Sequence, residues 1–157
     1  MKGGSSVNTG AHPASTPATK PVTSAGEETL GDADIQAIAT FRYAVRRFLR
    51  FSEQAARREH ITPQQHQLLL AIKGFPTRDC ATVSELAHRL QMRQHSVVGL
   101  IDRTVKLGMV RRERGKEDRR EVFIYVTPAG EELLARLTHL HRQELVAMRT
   151  ALSDITA

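Results

Sequence analysis

The sequence predicts a mainly α-helical fold with a small β-hairpin wing: a winged helix-turn-helix lobe joined to two long terminal helices. Three observations predict it. Apolar residues recur every three to four positions over most of the chain beyond residue 34. Two short strand signals, residues 109–112 and 122–126, bracket a polar, Arg-rich turn. Aromatic residues are scarce, with Phe 5, Tyr 2 and no Trp. The core must therefore be built from Leu, Ile, Val and Ala, which suits packed helices.

The elements follow in order. Residues 1–31 are rich in Gly, Ser, Thr, Ala and Pro, and their only apolar anchors are Val7, Val22 and Leu30. Such a segment buries too little surface to offset its ordering entropy, so it reads as a disordered tail. Its near-neutral charge argues against a basic DNA-binding arm. Residues 32–157 form the folded part. From Asp34 to Arg58 the residues Ile35, Ile38, Phe41, Val45, Phe48 and Leu49 recur at helical spacing, uninterrupted by Gly or Pro. Thr62, Pro63 and Gln65 have the spacing of an N-cap, a first helical residue and a capping box, and Gly74 and Pro76 stop that second helix. A loop over 76–81 leads to Thr82 and Glu85, again with capping-box spacing. A short helix over 83–90, a turn at Gln91 and Met92, and a longer helix from Arg93 to Leu107 complete a helix-turn-helix. Gly108 ends it. After the hairpin, Thr127 and Pro128 start a last helix whose Leu133, Leu137, Leu140, Leu145 and Met148 continue at near-heptad spacing. The domain thus divides into dimerisation helices over 34–60 and 128–157 and a lobe over 62–127.

Charge points to the partner. The chain carries a formal net charge of +6, which favours an anionic partner, nucleic acid or an acidic membrane surface. No run of about 18 apolar residues appears, so no membrane span is expected. The N-terminus lacks an apolar signal core and its first Arg is Arg42, against a secretory or transit peptide. One cysteine, Cys80, excludes an intrachain disulfide and fits a reducing, cytoplasmic setting. No nucleophile–base pair, phosphate loop or metal cluster supports an enzyme, so no catalytic residue and no metal ligand is assigned.

The second helix of the helix-turn-helix, projected at about 100° per residue, turns Val97, Ile101, Thr104 and Gly108 inward. A groove reader uses its N-terminal turns. Arg93, Gln94, His95 and Ser96 are therefore the candidates for base or phosphate contact, and Arg and Gln can pair with guanine and adenine edges. The hairpin holds six bases and three acids between Arg111 and Arg120. Arg114, Lys116, Arg119 and Arg120 are its candidate DNA contacts, with Asp118 close enough to orient the Arg120 guanidinium for a narrow minor groove.

The residues 82–87, Leu100-Ile101-Asp102-Arg103, 107–112, Asp118-Arg119-Arg120 and Val126-Thr127-Pro128-Ala129-Gly130 resemble the MarR family of bacterial transcription regulators, over about residues 34–155. The Asp-x-Arg wing followed by a strand and Val-Thr-Pro-Ala-Gly is the specific part. The resemblance implies a homodimer with intertwined terminal helices and two winged-helix lobes on a palindromic operator in double-stranded DNA. It implies that Asp118 and Arg120 carry the wing contact and that Arg103 braces the lobe or touches backbone. Thr104, Val105 and Leu107 depart from the family pattern, and Val98 and Gly99 leave the recognition helix few polar groups. The family commonly takes a small aromatic or anionic effector between the dimer helices and the lobe. Phe41, Tyr43, Arg46, Phe48 and His66 are the candidate ligand-binding residues here, with core packing as the competing reading. Cys80 beside Arg78 is an alternative, redox trigger if its loop is exposed. His139 and His141, about 200° apart on a helix, are poorly placed for joint metal ligation.

Two other functions compete. A winged-helix protein-interaction module would not need the Arg-rich wing, and a nonspecific DNA-binding protein would lose its DNA to random competitor.

Overall fold

The computed structural model describes residues 31–116, 118 and 120–153, with the side chains of Ala151 and Leu152 excepted. The tail and Arg119 lie outside the described residues. Five helices and three strands follow in the order α1 (Asp32–Arg58), α2 (Pro63–Lys73), β1 (Cys80–Thr82), α3 (Val83–Leu90), α4 (Gln94–Lys106), β2 (Val110–Arg114), β3 (Val122–Val126) and α5 (Pro128–Ser153). The mainly helical, winged class read from the sequence is what the structure has.

The helix starts are made by the residues whose chemistry suits them. Thr62 Oγ1 accepts from the Gln65 amide at 3.2 Å, and Gln65 Oε1 accepts from the Thr62 amide at 2.8 Å. Both otherwise orphaned donors are satisfied. Thr82 and Glu85 repeat the exchange at the start of α3. Glu85 is also ion-paired with Arg78. Partial burial alone would push the Glu85 carboxyl up, but the Thr82 amide and hydroxyl and the Arg78 guanidinium outweigh it and hold its pKa below the ordinary value.

The sheet corrects one expectation. The segment over 76–81, read as a loop, ends in a strand. Cys80, Ala81 and Thr82 pair antiparallel with Tyr125, Ile124 and Phe123, so β3 is the central strand of three, in the order β1-β3-β2. The hairpin contributes Val110↔Val126 through Arg114↔Val122 on its other edge. Cys80 is consequently buried, and the exposed-loop premise of a redox trigger does not hold.

Between α4 and β2, Gly108 adopts φ 71°, as a left-handed helix terminus requires. The Val-Thr-Pro-Ala-Gly segment then ties α5 to this same turn. The Thr127 hydroxyl donates to Gly108 O at 2.6 Å and accepts from the Gly130 amide at 3.2 Å, while the Thr127 amide donates to Met109 O at 3.0 Å. A Cβ at Gly130 would sit 2.3 Å from Met109 O, so only glycine permits the approach. Gly108 itself is exposed rather than inward-facing, because it lies beyond the last turn of α4.

The core lies in the lobe. Leu68, Leu69, Ile72, Leu86, Val97, Leu100, Ile101 and Ile124 are fully buried, joined by Leu133 and Leu137 from the first turns of α5. Thr104 is buried with its hydroxyl donating to Leu100 O at 2.8 Å, so its polar atom is satisfied. Helix α1 packs along α5 through buried Ala44 and half-buried Phe48 and Phe51. Much of the apolar surface of both helices is left uncovered, including Ile35, Ile38, Phe41, Leu49, Leu140, Leu145 and Val146. No helix among the described residues is long and apolar enough to cross a membrane.

Candidate nucleic-acid interface

The recognition helix is anchored by the turn before it. Gln91 takes a left-handed conformation, φ 53°, and ends α3, and the Met92 amide donates to Ala87 O at 3.0 Å. Arg93 is the extended N-cap residue of α4, with φ −70° and ψ 145°. Val97, Leu100, Ile101 and Thr104 face the core. This burial leaves Arg93, Gln94 and His95 exposed and Ser96 half-buried at the open N-terminal turn. Gln94 Nε2 lies 3.5 Å from Ser84 Oγ, a long contact that a groove would readily displace. Val98 is 40% exposed on the same helix, an apolar surface able to meet a thymine methyl. Arg103 is exposed, with its Nη1 3.4 Å from where a Cβ at Gly99 would stand.

The wing divides its cations by position. Arg111 lies over the Tyr125 ring, 4.6 Å from ring centroid to guanidinium carbon, and pairs with Glu113 two residues along the strand. Behind it the Cys80 thiol, followed by burial, pushes the Tyr125 phenol above its usual pKa. Arg112, on the opposite face of β2, reaches Asp102 of α4 at 2.6 Å. Arg114, Lys116 and Arg120 have no acidic partner among the described residues and are exposed. At the tip, Gly115 N donates to Glu121 O at 2.9 Å and Glu121 N donates to Asp118 O at 3.1 Å. Asp118 Oδ1 accepts from the Arg120 backbone amide at 2.8 Å. The expected Asp118–Arg120 relation is present, but it runs through the main chain. The carboxylate shapes the turn and leaves the guanidinium unengaged.

The effector candidates separate. Tyr43 and Phe48 line a cleft of about 190 Å³ between α1 and α5, together with Thr40, Arg47, Glu144 and Met148. Arg47, one position on from the Arg46 read from the sequence, is the arginine that reaches the cleft, where it pairs with Glu144 at 3.5 Å. Phe41 and Arg46 are exposed and do not line it. His66 lies elsewhere, buried beside His141 with ring centroids 5.1 Å apart. Phe51 and Phe48 meet the His141 ring edge-on at 5.4 and 5.8 Å. Burial first, and the neighbouring His141 second, lower the His66 pKa from 6.5 to about 4. The buried His141 Nε2 has no hydrogen-bond partner among the described residues, while its Nδ1 meets Leu137 O. Among the described residues no group of three or more His, Cys, Asp or Glu side chains is arranged to hold a metal ion.

A helix pair whose second member exposes a polar N-terminal turn, beside a hairpin with outward cations, defines a winged helix-turn-helix protein. Residues 61–121 match the model of the MarR family. Solved structures share the fold. AbsC, a MarR family transcriptional regulator from Streptomyces coelicolor, is 23% identical at a TM-score of 0.63, covering 82% of this chain and 84% of its own. A point mutant of S. aureus MepR, bound to an oligodeoxyribonucleotide, is 19% identical at a TM-score of 0.59, covering 72% and 81%. Bordetella bronchiseptica BpsR, whose DNA binding is regulated by 6-hydroxynicotinic acid, is 20% identical at 0.55, covering 70% and 76%. No curated protein matches the chain.

Sequence reasoning missed Asp102 and Arg112 because their pairing joins a helix to a strand. It missed Arg47 because a helical stripe fixes a face only to within one residue on either side.

Proposed function

We propose that this protein is a homodimeric, sequence-specific DNA-binding transcription regulator, a ligand-responsive repressor that acts in the bacterial cytoplasm on a palindromic operator. The observation that carries the reading is the unengaged cation set of the lobe. Arg93 stands at the open end of α4, and Arg114, Lys116 and Arg120 stand on the wing. All four are exposed and lack acidic partners among the described residues, whereas Arg78, Arg111 and Arg112 are ion-paired and Arg89 is engaged by Gly74 O and the Phe75 ring. In this reading Arg93, Gln94, His95 and Ser96 meet base edges or phosphates in the major groove. Arg114, Lys116, Arg119 and Arg120 meet the minor groove or backbone on a turn shaped by Asp118, and Arg103 touches backbone.

The dimer is supported by the uncovered apolar surface of α1 and α5. Two copies packed through these helices would place two lobes about one DNA turn apart. The segments over 34–60 and 128–157 are thus the dimerisation helices, and 62–127 is the DNA-binding lobe. The cleft between α1 and α5 is the proposed effector site, for a small aromatic or anionic molecule that stacks on Tyr43 or Phe48 and takes Arg47 from Glu144. BpsR, with its aromatic acid effector, is the precedent among the structural relatives. The protein works as a binder, with no catalytic group and no metal.

The test is fluorescence anisotropy on DNA from upstream of the protein's own gene, at two salt concentrations and with excess random competitor. Binding that resists competitor and weakens steeply with salt is the expected result, since several phosphate contacts release counterions. Binding abolished by random DNA would replace the regulator with a nonspecific DNA-binding protein. Absence of binding at low salt would favour a protein-interaction module.

A further inference from the structure

The recognition helix exposes an apolar side chain among polar neighbours. Val97, Leu100, Ile101 and Thr104 turn into the core. On the opposite side Gln94, His95, Asp102, Arg103 and Lys106 meet solvent, and so does Val98, at 40%. Among the described residues of α4 it is the one exposed large apolar side chain. Val98 lies one turn beyond Gln94 and His95, so it shares their face. It is no part of the apolar surface of α1 and α5, and the lobe core lies on the other side of its helix. A single exposed valine is ordinary on a surface. The residue beside it marks this one. Gly99 weakens a helix relative to alanine, yet a Cβ there would meet no backbone outside its own helix. The nearest atom would be Arg103 Nη1 at 3.4 Å, the far end of a flexible side chain. Folding therefore does not require glycine at 99. Close approach of the helix backbone to a partner does. The major groove offers one apolar group to such a surface, the C5-methyl of thymine.

On the basis of the DNA-binding reading above, we propose that Val98 is a specificity-determining residue. It packs on the C5-methyl of one thymine in each half-site, at an approach that Gly99 permits. Gln94 and His95 supply polar contacts on the same face, and Val98 supplies the apolar one. Methyl recognition has a sharp signature. Uracil pairs with adenine as thymine does and presents the same O4 acceptor, but it lacks the methyl. Gly99 adds a second signature. Gly99→Ala is expected to raise the melting temperature of the lobe and yet weaken DNA binding, because the Cβ favours the helix and blocks the approach.

The experiment starts from a duplex that the full-length wild-type protein enriches from a random pool. Each thymine is replaced in turn by uracil, and binding is measured for the wild type, Val98→Ala and Gly99→Ala. With the wild type, uracil at one thymine per half-site should weaken binding about fourfold, the effect of taking one methyl out of an apolar contact. Val98→Ala should bind the thymine duplex more weakly than the wild type does, and uracil at that position should have no further effect. Gly99→Ala should bind more weakly while melting higher. A uracil effect at that position that persists undiminished in Val98→Ala would give the methyl to another residue and overturn the inference. A wild-type protein indifferent to uracil at every thymine would overturn it too, while leaving the DNA-binding reading intact. Full binding by Gly99→Ala would overturn the close approach on which the contact depends. A wild-type protein that enriches no sequence would overturn the DNA-binding reading, and this inference with it.

Discussion

The lobe and the terminal helix pair bury their apolar residues differently. In the lobe, Leu68, Leu69, Ile72, Leu86, Leu100, Ile101 and Ile124 reach near-complete burial within one chain. Along the helix pair, Ile35 is 62% exposed, Leu145 50% and Val146 55%. Both regions show apolar residues at helical spacing. The pattern therefore tells that a face is to be covered, and only the packing tells whether the chain covers it alone. The difference separates two regions: the lobe is finished by its own side chains, and the helix pair leaves apolar surface that a second copy would cover in the proposed dimer.

The largest effect should come from opening the finished region. Leu68→Ala removes a side chain with no exposure from the centre of the lobe. It should cost about 2–5 kcal/mol in denaturant unfolding, with the spread set by how far the cavity relaxes. A cost below about 1 kcal/mol would mean that the lobe core is looser than its burial indicates.

The junction between the two regions should respond to acid. His66 on α2 faces His141 on α5, with Phe48 and Phe51 of α1 around the second ring. The folded-state pKa of His66 lies at about 4, against 6.5 for the free side chain. The unfolded chain therefore takes up a proton below 6.5 that the folded chain refuses until about 4. Stability should be complete above pH 6.5 and fall as pH drops through that window, by at most about 3 kcal/mol. Urea unfolding at about pH 7.5, 6 and 5 reads it, and His66→Leu should flatten the slope. An unchanged slope in the variant would move the acid sensitivity to other groups.

The unfinished region should respond in assembly and leave the lobe alone. Leu145→Asp together with Val146→Asp places charge on side chains that are about half exposed in the single chain. The dimer dissociation constant should rise by about 30-fold or more, read by sedimentation, because charges at an apolar contact are left desolvated and unpaired. The main thermal transition of the lobe should persist. A dimer indifferent to both charges would place the interface elsewhere.

At the DNA face, Arg120→Ala should weaken binding to a selected duplex by about tenfold and reduce the salt slope by roughly one, leaving the dimer intact. Unchanged affinity would remove the wing tip from recognition.

How much of this is legible in the sequence follows from which interactions are local. The capping boxes at Thr62 and Thr82, the glycine at 108 and the inward set Val97, Ile101 and Thr104 are all decided within a few residues, and each forms as its pattern implies. Strand β1 is hidden because three residues give no alternation to read, and its partner β3 lies some 40 positions on. Burial of Cys80 follows from that pairing and is equally hidden. Spacing makes the Asp118 carboxylate a brace for a guanidinium, but it bonds a backbone amide two residues on, and spacing alone cannot distinguish the two. The Arg47–Glu144 and Arg112–Asp102 pairs link elements far apart in sequence, and the meeting of His66 with His141 needs three helices to converge.

The smallest effect should come from the turn inside the finished region. Gln91 holds φ 53° and ψ 43° at the end of α3, a conformation that costs an L-residue about 1 kcal/mol. Its side chain offsets part of this by donating from Nε2 to His88 O at 2.6 Å. Gln91→Gly removes the steric cost, loses that bond, and gives the unfolded chain more freedom. The net gain should be only about 0.5 kcal/mol, read as a rise of a few degrees in the lobe's melting temperature with no change in dimer dissociation. A loss of stability would mean that the His88 contact, rather than the backbone, fixes the turn. A change in dimer dissociation would break the separation between the region the chain completes alone and the region that the proposed pairing would complete.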